Sequence, residues 1–279
     1  MIRPPTGAEA PFTQLVFSGG GLRCYWQGGF LRAASCLALN PSQIVGVSGG
    51  AMSAVVHVAG VQEQLMDAVC AMAAGQAGNI DWRREHGSFL PHQALYRQLL
   101  EQVLTEEVCA RVANGPDLKI LIGHPPSDRF PTLTGAAMTL VYEAERRSKG
   151  LPHFDWPERL GVTWTLVDAR EEARAGRLVD LVAMAAIIPP IFTPGHWRGR
   201  RVIDGGMADQ APVPDTEGQT LILLTRVYPG LRPTPGRTYI GPGESVPVRK
   251  VDFSSPDKIR ATWSHGERDG MQYCASSEY

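Results

Sequence analysis

Apolar residues along this chain gather in short unbroken runs, each ending in glycine or polar turn residues, the pattern of buried strands alternating with helices. Phe12 to Phe17 reads as a buried strand that runs into Ser18 and three glycines. Tyr25 to Leu39 has helical spacing closed by Asn40-Pro41, and Gln43 to Val47 is a second strand leading into Ser48 and the small-residue run Gly49 to Gly60. A third helix is expected over Gln62 to Ala74. The polar stretch Gly75 to Ser88 then serves either as a lid or as a plain connection between packed helices, and Pro91 suits the first turn of a helix through Leu104.

Further along, Leu118 to Ile122 and Gly161 to Val167 read as strands, with a helix-compatible stretch at Gly135 to Arg147 between them. Leu178 to Ile188 is a helix stopped by Pro189-Pro190, and Val202-Ile203 leads as a short strand into Asp204. Leu221 to Val227 is expected to close the sheet, and the Pro- and Gly-rich Tyr228 to Lys250 to be an irregular surface segment. Ser255-Pro256 then starts a last helix carrying Ile259 and Trp263. The alternation predicts an α/β fold with a mostly parallel sheet. We expect a single domain over residues 1–279, with core motifs in 12–215 and a C-terminal extension at 216–279.

Composition narrows the function. Hydrophobic residues make up 43% and charged residues 20%, and no apolar run reaches the ~18 residues of a membrane-spanning helix. A net charge of -1 offers no field for nucleic acid, and Arg198-Gly199-Arg200-Arg201 fits a solvated turn before a strand. The cysteines, Cys24, Cys36, Cys70, Cys109 and Cys274, are odd in number and lack C-x-x-C spacing, so they are expected to be reduced. With no apolar signal-type run after Met1, the expectation is a cytoplasmic protein.

Three blocks carry chemistry in chain order. Ser48 lies in Gly46-Val47-Ser48-Gly49-Gly50, between a strand and a small-residue helix, where glycines permit the sharp turn that exposes a nucleophilic hydroxyl. A serine between glycines is by itself more often a turn residue; the strand before it and the helix after it favour the nucleophile. Gly19-Gly20-Gly21 also joins a strand to a helix, so its amides can face a developing oxyanion. The nucleotide-loop reading fails at Cys24, which breaks G-x-G-x-x-G, and at Asn40, where an acidic residue is expected. Arg23 either braces this loop or is an exposed arginine at a helix start.

Asp204 ends a short strand before Gly205-Gly206, as a hairpin turn would, yet its company suggests a base. A solvated carboxylate with a pKa of ~3.9 accepts protons poorly, so such a site must raise that value by desolvation or supply strong alignment. Histidine is the usual intermediary. Of the seven, only His265 follows Asp204 in the order Ser, Asp, His, and its place before Gly266 in the last helix suits a solvated or cap-adjacent residue. His57, His86, His92, His124, His153 and His196 show no metal-ligand spacing and are read as structural or surface groups.

Together these blocks resemble the patatin-like phospholipase family, lipid acyl hydrolases with a Ser-Asp dyad. The resemblance rests on Gly19, Gly20, Gly21 and Arg23, on Gly46, Ser48 and Gly50, and on Asp204, Gly205 and Gly206, with Ala185 to Phe192 similar to an apolar-proline block upstream of the aspartate. It implies a three-layer α/β fold, with helices on both faces of the sheet. It also implies Ser48 as nucleophile, Asp204 as its base, and an oxyanion hole from the glycine loop (Gly19, Gly20, Gly21) with Gly49, without metal or cofactor. Cys24 departs from the glycine that often follows the basic residue, and Gly123 to Leu160 carries no matching motif and is where substrate specificity is expected. The implied substrate is a phospholipid or other acyl ester, met at a membrane through an apolar rim that includes Trp82 and Phe89. An acyltransferase would use the same acyl-enzyme, and a non-catalytic lipid-binding or scaffold protein would be expected to show a damaged site. A malonyl-transferase-like enzyme usually has histidine where Val47 stands.

Overall fold

The computed structural model describes residues 12–79 and 91–277, and the segment carrying Trp82, Phe89 and most of the expected lid lies outside them. Its strands are β1 (Phe12–Phe17), β2 (Leu39–Val47), β3 (Asp117–His124), β4 (Thr163–Asp168), β5 (Gly195–Trp197), β6 (Arg200–Asp204), β7 (Thr220–Leu223) and β8 (Arg237–Ile240). They form one sheet in the order β5-β6-β3-β2-β1-β7-β8, with β4 also paired to β3. From β3 through β8 neighbouring strands are parallel, whereas β4 and β6 run antiparallel to β3. The molecule is thus α/β with a mostly parallel central sheet, as its alternating pattern predicts.

The helices are α1 (Tyr25–Ala33), α2 (Gly49–Ala59), α3 (Gln62–Ala74), α4 (His92–Val103), α5 (Glu106–Ala113), α6 (Pro131–Lys149), α7 (Trp156–Arg159), α8 (Ala169–Arg174), α9 (Leu178–Ala185) and α10 (Pro256–Ser277). Along β1 and β2 side chains alternate between two apolar cores. Leu15, Phe17 and Ile44 join the larger one with α1, α2 and α10, while Val16 and Val45 join Ile222, Tyr228 and Tyr239 in a smaller one. Both faces of the sheet are buried along β1, β3, β7 and the end of β2, which is why those strands read as continuous apolar runs.

Several expectations need correction. The first helix stops at Ala33 because Phe12 pairs with Leu39, drawing the chain around Asn40-Pro41 into β2. Helix α5 is an addition to the expected elements, its start marked by Thr105 accepting from the Val108 amide at 3.4 Å with Glu106 and Glu107 in the first turn. Nor does β7 close the sheet: β8, drawn from the Pro- and Gly-rich segment, pairs beyond it. Finally, Cys36 and Cys274 are not reduced but form a disulfide with Cα atoms 5.4 Å apart, tying the chain beyond α1 to α10. Their separation of 238 residues left no spacing pattern to read. Cys24, Cys70 and Cys109 are free thiols.

Candidate active site

Ile44 to Val47 bury the end of β2, and the chain then reverses at Ser48 with φ 55° and ψ -129°, a left-handed conformation that is strained for a residue with a Cβ. The bend throws the serine side chain out at the junction with α2. Gly49 makes that junction possible. A Cβ there would lie 2.5 Å from the Gly21 carbonyl oxygen and 2.9 Å from the Gly21 Cα, so the elbow and the glycine loop touch backbone to backbone.

What brings Asp204 to Ser48 is the edge of β3. Strand β4 pairs with β3 over Lys119 to His124 and so occupies one edge; β2 pairs up to Leu121 and β6 from Ile122, so those two must share the other. The end of β2 and the end of β6 therefore meet head-on at adjacent positions. Ser48 Oγ donates to Asp204 Oδ2 at 2.6 Å, and both residues are buried. The second carboxylate oxygen accepts from the Gly206 amide at 2.7 Å, while the Asp204 amide donates to the Ile187 carbonyl at 2.6 Å. Helix α9 ends at Ala185, short of the expected Ile188, because the residues whose amides would bond the Ala185 and Ala186 carbonyls are Pro189 and Pro190, which have no N–H.

Burial pushes the Asp204 carboxyl above its ordinary range, against the pull of the Lys250 charge and of hydrogen bonds from Ser48 and Gly206. No imidazole intervenes between hydroxyl and carboxylate. His265 is not solvated, as its sequence position suggests, but buried along α10, where Nε2 lies 3.4 Å from Asp269 Oδ2. The same carboxylate oxygen accepts from Trp26 Nε1 at 2.8 Å. His124 sits between the Arg201 carbonyl and Thr165, His153 beside Asp209, and His92 3.0 Å from the Val251 carbonyl, all structural positions.

The glycine loop divides its labour. Gly19 is excluded from the expected amide cradle, because its N–H donates to the Gln210 carbonyl at 2.9 Å; with its carbonyl accepting from Thr225 at 2.9 Å, it anchors the loop instead. Gly20 and Gly21 open a 3-10 turn, and Gly49 opens α2, so these amides have no acceptor within their own helices. Arg23 braces the loop, Nε donating to the Gly20 carbonyl at 3.3 Å. Cys24 is buried with its thiol pushed up to about 12 by desolvation, so it stays neutral in the lining it shares with Ser48.

In front of Ser48 opens an apolar cleft walled by Leu22, Met52, Leu65, Leu99, Ile188 and Phe192. Lys250, expected in an irregular surface segment, lines it too. Its backbone carbonyl accepts from the Leu22 amide at 3.0 Å, and its Nζ donates to the Tyr142 hydroxyl at 3.0 Å. Burial alone would lower this ammonium, but the facing Tyr142 and Asp204 carry it above its ordinary value. A lone lysine in a stretch without periodicity gave no signal of this placement.

The patatin-like phospholipase family model matches residues 15–216. No curated protein sequence matches the chain. Among solved structures the chain is similar to VipD from Legionella pneumophila, with 12% sequence identity and a TM-score of 0.53, over 96% of this chain and 67% of that one; at such identity the likeness is one of fold.

Proposed function

Because the chain belongs to the patatin-like phospholipase family, a family of lipid acyl hydrolases, we propose that it cleaves carboxylic esters of lipids through an acyl-enzyme on Ser48, with Asp204 as the base. The observation that carries this reading is the 2.6 Å hydrogen bond from Ser48 to a buried carboxylate of raised basicity. It also speaks against a non-catalytic scaffold.

In the reaction, Asp204 takes the Ser48 proton as Oγ attacks the ester carbon, and the carbonyl oxygen becomes an oxyanion facing the amides of Gly20, Gly21 and Gly49. Each such donor contributes about 3 kcal/mol to the barrier. Collapse of the intermediate expels the alcohol, which leaves with the proton held by Asp204. Water then gives a proton to Asp204 and attacks the acyl carbon, and release of the fatty acid returns the proton to Ser48. Raised basicity suits both halves, because Asp204 must accept and then surrender a proton near neutral pH.

The apolar lining of the cleft suits an acyl chain. Contact with the lipid surface falls to α6, where Leu133, Ala137, Leu140 and Ala144 recur at helical spacing on the solvent side and Leu133 and Leu140 are 71% and 73% exposed. The Cys36–Cys274 pair favours an oxidising compartment over the cytoplasmic expectation. A fluorophosphonate probe tests the central reading. It should label the protein at Ser48 and fail on Ser48→Ala, which should also lose hydrolysis of p-nitrophenyl esters of graded chain length; activity retained in that variant would defeat the proposal.

A further inference from the structure

Gln210 is buried in the segment that follows Asp204 and belongs to none of the three motif blocks. Its backbone is fixed on both sides. The amide donates to the Pro152 carbonyl at 3.0 Å, in the stretch without a family motif, and the carbonyl takes the Gly19 amide described above. Next to it, Asp209 Oδ1 lies 3.0 Å from His153 Nδ1 and accepts from the Ala211 amide at 2.8 Å.

The Gln210 side chain then enters a gap that exists only because two neighbours are glycine. A Cβ on Gly19 would lie 2.5 Å from Gln210 Oε1 and 3.3 Å from the Ser48 Cβ. One on Gly206 would run into Gln210 Nε2 and stand 3.0 Å from Asp204 Oδ1. The carboxamide thus sits between the glycine loop and the turn after the base. There Nε2 donates to the Gly206 carbonyl at 2.7 Å, so Gly206 is gripped twice, its carbonyl by Gln210 and its amide by Asp204 Oδ1. A residue without a side chain has wide backbone freedom, and the bond to its carbonyl is what keeps its amide aimed at the carboxylate.

Resting on the acyl-hydrolase reading of Ser48 and Asp204, we infer that Gln210 is a positioning residue for the acyl transfer: its carboxamide locks Gly206 so that one Asp204 oxygen stays engaged and the other stays aimed at Ser48. Among the described residues Gln210 is not part of the cleft lining, so it acts on the chemical step and not on the hold of the acyl chain. The Gly206 amide also favours the ionised carboxylate, and loosening it makes Asp204 harder to ionise. Lys250, Cys24 and Tyr96 are the titratable groups that face Asp204 among the described residues, and substitution at Gln210 leaves all three in place.

The test compares the full-length wild type with Gln210→Met and Gly19→Ala on a p-nitrophenyl ester. It measures kcat, KM and the acid limb of kcat/KM, with active sites counted by fluorophosphonate titration. Methionine is a flexible, unbranched replacement for glutamine that donates no hydrogen bond. Alanine at position 19 keeps the backbone bonds of the loop and displaces the carboxamide. Each variant should lose about 10²-fold in kcat per active site, with KM within threefold of wild type and the acid limb moved to higher pH. Gly19→Ala combined with Gln210→Ala should cost little more than Gln210→Ala alone, because the colliding group is gone. A kcat within threefold of wild type in Gln210→Met overturns the assignment, and so does a loss that leaves the acid limb where it was. Should Gln210→Met yield no folded protein, Gly19→Ala decides by the same signature, and additive losses in the double variant overturn the assignment. Wild type that the probe does not label at Ser48 would sink the acyl-hydrolase reading itself; labelled wild type with an indifferent Gln210→Met would sink only this inference.

Discussion

Gly49→Ala sets two effects of opposite sign against each other. Gly49 is the first residue of α2, and its φ lies outside the left-handed region, so alanine is conformationally admissible and by helix propensity should stabilise the helix by up to about 1 kcal/mol. Packing says otherwise. The new Cβ would sit 2.5 Å from the Gly21 carbonyl oxygen, 2.9 Å from its Cα and 3.0 Å from its carbonyl carbon, all rigid backbone. Restoring ordinary contact requires the elbow and the glycine loop to part by about 1 Å. That movement leaves the remote core of α2 in place but separates the Gly49 amide from those of Gly20 and Gly21, which must converge on one oxygen. A misplacement of about 1 Å at a reacting centre costs on the order of 10²-fold, and loss of an oxyanion donor about 10²- to 10³-fold. We therefore expect kcat on a p-nitrophenyl ester to fall about 10²-fold or more, while the thermal midpoint moves by only a few degrees. Measuring kcat, KM and Tm on one preparation separates the effects. A variant within threefold of wild type in kcat would refute the claim that these three amides act together.

The remaining expectations concern charge, cross-linking and the lipid surface. Asp204→Asn should lose at least 10²-fold in kcat. Because the folded carboxyl is raised, its ionisation costs stability at neutral pH, and that cost is absent below the unfolded value of about 3.9; Asp204→Asn should accordingly melt higher than wild type at pH 7 to 8, with the gain vanishing towards acid. The acid limb of kcat/KM should lie above the ordinary carboxylate range, and Lys250→Met should move it higher by removing the cation that favours the ionised form; limbs that coincide would contradict the electrostatics. Cys36→Ser, or reductant on wild type, should lower unfolding free energy in urea by about 2 to 5 kcal/mol, since the bridge closes most of the chain. Leu133→Asp with Leu140→Asp should reduce hydrolysis of phospholipid vesicles about tenfold relative to a soluble short-chain ester; equal effects on both would show that α6 does not meet the lipid surface.

Sequence alone determined what could be specified by neighbours along the chain. An apolar run ending in glycines around Ser48, another ending in Gly19 to Gly21, and a third ending at Asp204 each encode a strand and the turn that follows, because backbone conformation and burial pattern are local properties. Helix α3 and strand β1 were legible to the residue for the same reason. Tertiary structure decided everything that depends on partners far away. The shared edge of β3 joins hydroxyl to carboxylate across 156 positions, Gln210 takes the Gly19 amide out of the cradle, and Cys36 finds Cys274. Lys250 enters the cleft only because its carbonyl is fastened to the glycine loop and its ammonium to α6. Such contacts arise from how whole elements pack, and a residue's place in a periodic pattern cannot reveal which distant group will face it.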